Sequence, residues 1–179
     1  MMLKRPMAPL LALLAPIALT FCSDKNTNVV VPANDQVTIL DQCDSVSFNK
    51  ALGPGTCTLQ GNVTLTAFNV ELAANRSVST WRFDPTTSTI ALGETITATN
   101  IGGEVHTFTA VAQFGGGTVP ALNQVSGNLI EAPECAAITS ADMIAPGQSF
   151  TTDRAGVTGT HLYQCCIHPW MRETVTVTR

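Results

Sequence analysis

The sequence has little charge and few aromatic residues. Asp, Glu, Lys and Arg together make up 12% of the 179 residues, and aromatic residues make up 6%. Nine residues are Lys or Arg against 13 Asp or Glu, which gives a formal net charge of −4. Proteins that bind nucleic acid present clusters of Lys and Arg. We therefore expect no nucleic-acid partner.

The sequence also lacks an apolar run of about 18 residues, the length that marks a candidate transmembrane helix. A shorter apolar stretch covers residues 9–20, is interrupted by Pro16 and follows Lys4 and Arg5. A basic start followed by such a stretch is typical of a signal peptide. We therefore predict that residues 1–22 are an export signal.

The predicted signal ends in a segment that resembles a bacterial lipobox, Leu19-Thr20-Phe21-Cys22. In such signals the cysteine is lipidated and becomes the new N-terminus, whereas Phe21 stands where they have a small residue. Two predictions stay open. The protein is either anchored to the bacterial cell envelope through a lipid on Cys22 or released into the periplasm, and that lipid would be its one contact with a membrane.

The residues after the predicted signal divide into two segments of different composition. Residues 23–36 are rich in polar residues without apolar periodicity, which predicts a flexible tether. Residues 37–76 look like a small separate unit. Within it, Leu65, Phe68 and Leu72 recur at helical spacing and predict one helix.

Residues 79–179 contain short segments rich in Thr, Val, Phe and Ile, separated by turn residues. This pattern favours an antiparallel β-sandwich. The predicted fold class is therefore all-β, with a small N-terminal extension that carries the helix and two cysteines. The stretch 113–146 is long for a loop and contains Cys135, so we expect it to be anchored.

An odd number of cysteines follows the predicted signal. They are Cys43, Cys57, Cys135, Cys165 and Cys166. An exported chain can form disulfides, so most of these cysteines should pair. Five cysteines leave one thiol without a disulfide partner, and that thiol is available for other chemistry.

The segment after one of the last predicted strands carries a metal-binding pattern. Cys165, His168 and Met171 follow one another at intervals of three residues, and His106 begins an earlier predicted strand. Two imidazoles, a thiolate and a weak thioether form the ligand set of electron-transfer copper sites. Soft sulfur suits Cu(I) and imidazole suits Cu(II), so one such set tolerates both states. The residues therefore predict a site for one copper ion.

This pattern resembles the cupredoxins, and the loop is most similar to the amicyanin and pseudoazurin type within the plastocyanin and azurin group. The resemblance implies a Greek-key β-sandwich over 79–179 with one type 1 (blue) copper that cycles between Cu(I) and Cu(II). It implies that the ligands are His106, Cys165, His168 and Met171, with His168 at the solvent edge.

The same resemblance suggests how the neighbouring residues act. Thr107 stands where the family usually has Asn, and its hydroxyl is expected to bond near the thiolate. Cys166 should face away from copper, because adjacent strand residues point to opposite sides. Among the three pairings that four cysteines allow, we predict the disulfides Cys43–Cys57 and Cys135–Cys166.

These expectations favour a one-electron carrier that works as a monomer between exported redox proteins. Pro169 and Trp170 are expected to form a docking rim beside His168, although a place in the core stays open for Trp170. No nucleophile–base pair or paired carboxylates stand out, so we expect no enzymatic activity. The alternatives are copper delivery or storage, a structural zinc site built from the same residues, and a structural module without metal.

Overall fold

The computed structural model of the protein describes residues 34–179. The predicted signal, Cys22 and most of the predicted tether lie outside the described residues. The strands of the described part are β1 (Asn34–Leu40), β2 (Arg82–Asp84), β3 (Thr87–Ala91), β4 (Thr95–Asn100), β5 (Thr109–Val111), β6 (Ser149–Thr151), β7 (Gly159–Gln164) and β8 (Arg172–Thr178). Its helices are α1 (Ser45–Leu52), α2 (Leu65–Asn75), α3 (Pro120–Ser126) and α4 (Pro133–Ala136), with a 3₁₀ turn at Ser140–Asp142. None of these helices is long and apolar enough to cross a bilayer.

The strands form two four-stranded sheets, in the orders β2-β1-β4-β6 and β3-β8-β7-β5. Their buried faces share one core, which includes Ile39, Phe83, Ile96, Val175 and Val177. The predicted β-sandwich is therefore confirmed. The expectation of a purely antiparallel sandwich is wrong, because β1 pairs with β4 and β3 pairs with β8 in parallel. Turn signals show where strands end, but they do not show which strands become neighbours.

The N-terminal boundaries differ from the prediction. Residues 34–40 form β1, which lies between β2 and β4 and pairs with both. The polar start of this strand, 34–36, had suggested a tether, yet it pairs with 95–97. The segment 37–76 is therefore not separate from the sandwich, and it contains two helices rather than one.

Helices α1 and α2 pack on the sandwich through aromatic side chains. The side chain of Asp44 caps α1, and that of Thr64 caps α2, so each helix begins where a short polar side chain can accept a backbone N–H. Phe48 of α1 and Phe68 of α2 are buried against Trp81, with ring centroids 5.9 and 4.9 Å from that indole. The predicted helix is therefore confirmed, and its apolar face is part of the core.

The long stretch 113–146 is anchored as expected. The disulfide Cys135–Cys166 joins it to the loop that follows β7, and the predicted pair Cys43–Cys57 is also present. The N–H of Thr118 donates to the carbonyl of Cys166 at 2.7 Å. The stretch is therefore fixed directly to the segment that carries the predicted metal ligands.

Glu173 is a buried acid on the inner face of β8. It shares this face with the core residues Val175 and Val177. Its Oε1 accepts the Ser88 hydroxyl at 2.7 Å, whereas its Oε2 has no hydrogen-bond partner within residues 34–179. Burial raises the pKa of Glu173 to about 7 against the opposing Ser88 hydrogen bond, and the nearby Asp35 adds to the increase.

We expect Glu173→Gln to stabilise the metal-free protein at pH 8. The pKa of Glu173 rises from 4.5 to about 7 on folding. The folded protein therefore holds the Glu173 proton more tightly than the unfolded chain does. Its contribution to the free energy of unfolding is fully present below pH 4.5 and is lost as the pH rises through 7. The variant should gain up to about 3 kcal/mol in free energy of unfolding at pH 8 and little at pH 4. Urea unfolding followed by tryptophan fluorescence measures the difference.

The exposed Glu131 provides a matched control, since Glu131→Gln makes the same chemical change at the surface. We expect that control to change the free energy of unfolding by less than about 0.5 kcal/mol at either pH. An equal change in the free energy of unfolding at pH 4 and pH 8 in Glu173→Gln would contradict the conclusion that burial raises the pKa of Glu173.

Candidate metal centre

His106 lies in the connection between β4 and β5, where its backbone is bonded to a second loop. The N–H of His106 donates to the carbonyl of Ile144 at 3.1 Å, and the N–H of Ile144 donates back at 2.8 Å. The His106 side chain is fully buried. The backbone therefore holds this imidazole in one place inside the sandwich.

Residues 165–171, the ligand loop, connect β7 to β8. These two strands pair with each other, so the ends of the loop are held together. The N–H of Cys165 donates to the carbonyl of Met171 at 3.0 Å, and the N–H of Met171 donates to the carbonyl of His168 at 2.9 Å. All three side chains are buried. The predicted spacing of three residues therefore forms one compact turn.

The side chains of His106, Cys165 and His168 converge. The Sγ atom of Cys165 is 3.7 Å from Nδ1 of His106 and 3.9 Å from Nδ1 of His168. The three donor atoms lie within 4.8 Å of one another. Within the described part of the chain Cys165 is the free cysteine, and the other cysteines form two disulfides.

This set of donors fits a transition metal such as copper. Bonds of about 2.0 Å to nitrogen and 2.3 Å to sulfur, as in zinc sites, place two donors of one ion roughly 3.5 Å apart. Thiolate and imidazole suit copper or zinc, whereas magnesium and calcium prefer oxygen. Met171 is fully buried in the ligand loop. Its role as the fourth ligand, like metal ligation by the other three residues, remains a prediction.

Two carboxylates that the sequence analysis did not single out face the outer side of the imidazoles. Asp41 Oδ2 lies 2.9 Å from Nε2 of His106, and Glu104 Oε2 lies 3.6 Å from Nε2 of His168. Both acids are buried. The position of Glu104, two residues before a predicted ligand, was an available signal. Nothing in the sequence connects Asp41, which follows β1, with this site.

Hydrogen bonds determine the charge of the Asp41–His106 pair. Burial alone would raise the pKa of Asp41, but the bonds from His106 and from the backbone N–H groups of Glu104 and Gly103 lower that pKa to about 2. Burial would likewise lower the pKa of His106, but its bonds with Asp41 and Cys165 raise it to about 9. In the metal-free protein the pair is therefore charged at neutral pH.

The same network acts on the thiol. Burial raises the pKa of Cys165, but hydrogen bonds with His106 and His168 overcome this effect and bring the pKa well below its usual value. The thiolate is the form of cysteine that binds metals. The site therefore supplies its sulfur ligand in the required form.

Thr107 connects the two ligand segments. Its N–H donates to Cys165 Sγ at 3.5 Å, and its hydroxyl accepts the N–H of Cys166 at 2.8 Å. The Thr107 hydroxyl therefore bonds beside the thiolate residue as expected, and the Thr107 N–H contacts the sulfur itself. Cys166 turns its own sulfur away from the cluster into the disulfide with Cys135, as predicted.

The solvent-edge position expected for His168 is wrong, since only 4% of this residue is exposed. The ring of Trp170 lies 5.5 Å from that of His168, and Phe68 of α2 packs on Trp170 at 5.9 Å. Pro169 is buried and Trp170 is half-buried, so these two residues do not form an exposed rim. Helix α2 therefore covers this side of the ligand loop.

An apolar groove of about 360 Å³ leads to the covered side of the site. Helices α1 and α2 and the region of α3 line it, together with His168 and Glu104. Its apolar lining includes Phe48, Leu52, Leu65, Phe68, Leu122 and Ile167. His168 is therefore approached through a groove between helices rather than across an open surface.

No protein-family model and no curated protein sequence matches the chain. Similar solved structures include a purple cupredoxin from Nitrosopumilus maritimus, with 18% identity and a TM-score of 0.43 over 80% of this chain and 99% of that one. The oxidised plastocyanin of Dryopteris crassirhizoma has 18% identity and a TM-score of 0.41 over the same shares of the two chains. A reduced amicyanin mutant has 20% identity and a TM-score of 0.39 over 57% of this chain and 78% of that one. Cupredoxins are the family that the ligand loop resembles, and the chemistry of the site follows from its own residues.

Proposed function

We propose that this chain is an exported type 1 copper protein that carries single electrons between other redox proteins. The buried, free Cys165, with imidazole nitrogens at 3.7 and 3.9 Å, carries this proposal. His106, Cys165 and His168 would hold the copper, with Met171 as a weak fourth ligand. Copper bound there would supply one-electron exchange between Cu(I) and Cu(II).

The way the protein holds these ligands supports electron transfer. The ligand loop begins and ends on paired strands, and Cys165 and Met171 are bonded to each other through the backbone. The disulfide of Cys166 fixes the adjacent residue from the other side. Ligands held by the fold move little when the charge of the metal changes, which keeps the rearrangement on electron transfer small.

The partners in this proposal approach through the apolar groove. Its lining includes His168, whose ring is a ligand in the proposed site. Leu52, at the edge of the groove, is 57% exposed, so part of this apolar surface faces solvent. A redox protein with a protruding apolar segment would fit there. In this proposal the protein has no enzymatic activity of its own.

Copper loading tests the proposal directly. The purified protein should take up one Cu(II) per chain and show an intense thiolate-to-copper absorption band with narrow copper hyperfine splitting in its electron paramagnetic resonance spectrum. Zn(II) should occupy the same site without producing colour, because zinc accepts the same ligands but has no redox chemistry. Added Cu(II) should then displace it, since such sites bind Cu(II) more tightly than Zn(II). A weak, ordinary Cu(II) spectrum would contradict the proposal.

Copper delivery is a second candidate, because the groove gives another protein a route to His168. In that case the copper should pass to an acceptor chelator through this side of the molecule. Protein-film voltammetry separates the two functions. Fast, reversible one-electron exchange supports the carrier, whereas sluggish exchange combined with rapid copper release supports delivery.

A further inference from the structure

The two imidazoles of the cluster face the same kinds of group, with a hydrogen bond from His106 to Asp41 and a longer contact of 3.6 Å between His168 and Glu104. In each ring Nδ1 faces the sulfur of Cys165. In each ring Nε2 faces a carboxylate, which is Asp41 for His106 and Glu104 for His168. The two acids come from different segments of the chain, since Asp41 follows β1 and Glu104 lies between β4 and β5. This repeated arrangement indicates a function for both acids at the site.

Asp41 is held so firmly that it cannot turn away from His106. Its Oδ1 accepts the N–H of Gly103 at 2.9 Å, and its Oδ2 accepts the N–H of Glu104 at 3.0 Å. A Cβ atom at Gly102 would collide with the carboxyl group, so the backbone approaches as closely as glycine allows. The segment 102–104 therefore encloses the carboxylate and directs its remaining bond to the imidazole.

Glu104 is positioned by the aromatic packing of the helices. Its Oε2 accepts the indole N–H of Trp81 at 2.7 Å and lies 3.6 Å from Nε2 of His168. Trp81 is itself fixed between Phe48 and Phe68 of the two N-terminal helices. The helical segment thus supports the outer side of His168 as well as covering it.

We infer that Asp41 and Glu104 are positioning residues that turn the two imidazoles toward Cys165 and favour the oxidised state of bound copper. This inference rests on the proposed copper site. A carboxylate on the outer nitrogen of a ligand histidine fixes the orientation of the ring and raises its basicity as a ligand. An ionised carboxylate also stabilises Cu(II) more than Cu(I), because Cu(II) carries one more positive charge. The acids therefore lower the reduction potential of the site.

The test compares Asp41→Asn and Glu104→Gln in the copper-loaded protein. Each variant keeps an oxygen that can accept a hydrogen bond but removes the negative charge. We expect Cu(II) affinity to fall by about 10- to 100-fold, and Cu(I) affinity to fall less. At a fixed applied potential the ratio of Cu(I) to Cu(II) should then rise by the quotient of these two losses, and a tenfold rise equals about 59 mV for one electron.

Glu131→Gln is the matched control, because it removes the same charge from an exposed position. Charges at the surface are screened by salt, so the control should leave the ratio within twofold. A variant that keeps the type 1 spectrum and shifts the ratio no more than the control does overturns the inference for that carboxylate. If Asp41→Asn does not fold, Glu104→Gln alone decides. Absence of a type 1 spectrum in the unaltered protein refutes the proposed function instead, so the two failures are distinguishable.

Discussion

Replacing Cys165 with alanine should abolish the intense absorption band of the copper-loaded protein and lower its Cu(II) affinity by more than 100-fold. The thiolate is the one sulfur in the His–Cys–His cluster, and its two imidazole neighbours keep it deprotonated. Loss of an outer hydrogen-bond partner already costs a metal site about 10- to 100-fold in affinity. Loss of a ligand should cost more. Competition with a chelator of known affinity, together with the visible spectrum, measures both effects.

The three histidines of the chain offer a control for this experiment. His161 lies on β7 outside the cluster, where its Nε2 is 2.9 Å from the carbonyl oxygen of Val157. His161→Ala should therefore keep the band and the affinity, whereas His106→Ala should lose both. Retention of the band in the Cys165 variant, or its loss in the His161 variant, would show that the sulfur and nitrogen ligands have been misidentified.

The cluster could be predicted from the sequence because its chemistry is mostly local. Cys165, His168 and Met171 lie on one short loop, and the strand that follows it, β8, alternates between buried and more exposed residues. His106 could be added since its ligand type completes the same set. Assigning Cys165 to the metal left three possible pairings of the other four cysteines, and the structure confirms the predicted pair Cys135–Cys166.

The outer partners of the imidazoles could not be predicted in this way. Asp41 reaches His106 across 65 residues of sequence, and only the parallel pairing of β1 with β4 brings these two segments together. Residues 34–36 at the start of β1 are polar and favour a tether, so their pairing with β4 was not expected. Sequence patterns report the exposure of each side chain along a strand, but they carry little information about which distant strand lies beside it.

The covered position of His168 could not be predicted either. The helical periodicity of Leu65, Phe68 and Leu72 correctly predicted α2, but it did not show where the helix packs. That position depends on Trp81, whose indole contacts both helices and also donates to Glu104. Helices α1 and α2 thus limit the access to His168, whereas the residues of the His–Cys–His cluster lie outside these helices.

Removal of the Cys135–Cys166 disulfide should have the second largest effect. Replacing both cysteines with serine opens a loop with a sequence separation of 31 residues. For such a loop the chain-entropy argument predicts a loss of about 4 kcal/mol in the free energy of unfolding. The disulfide also ties the 113–146 stretch to the residue next to Cys165, so the ligand loop loses its covalent support on the side away from the cluster. We therefore expect weaker copper binding and a broadened absorption band in addition to the lower stability.

The second disulfide separates these two effects. Replacing Cys43 and Cys57 with serine opens a shorter loop, with a sequence separation of 14, and should cost about 3 kcal/mol. That loop does not contact the ligand loop through its disulfide, but Cys43 packs beside Asp41 and Gly103, so the absorption band should be retained while copper affinity falls slightly. Denaturant unfolding of the metal-free variants gives the two stabilities, and copper titration gives the two affinities. If both double variants lose copper affinity equally, the effect follows general destabilisation, and the Cys135–Cys166 bond has no specific role in supporting Cys165.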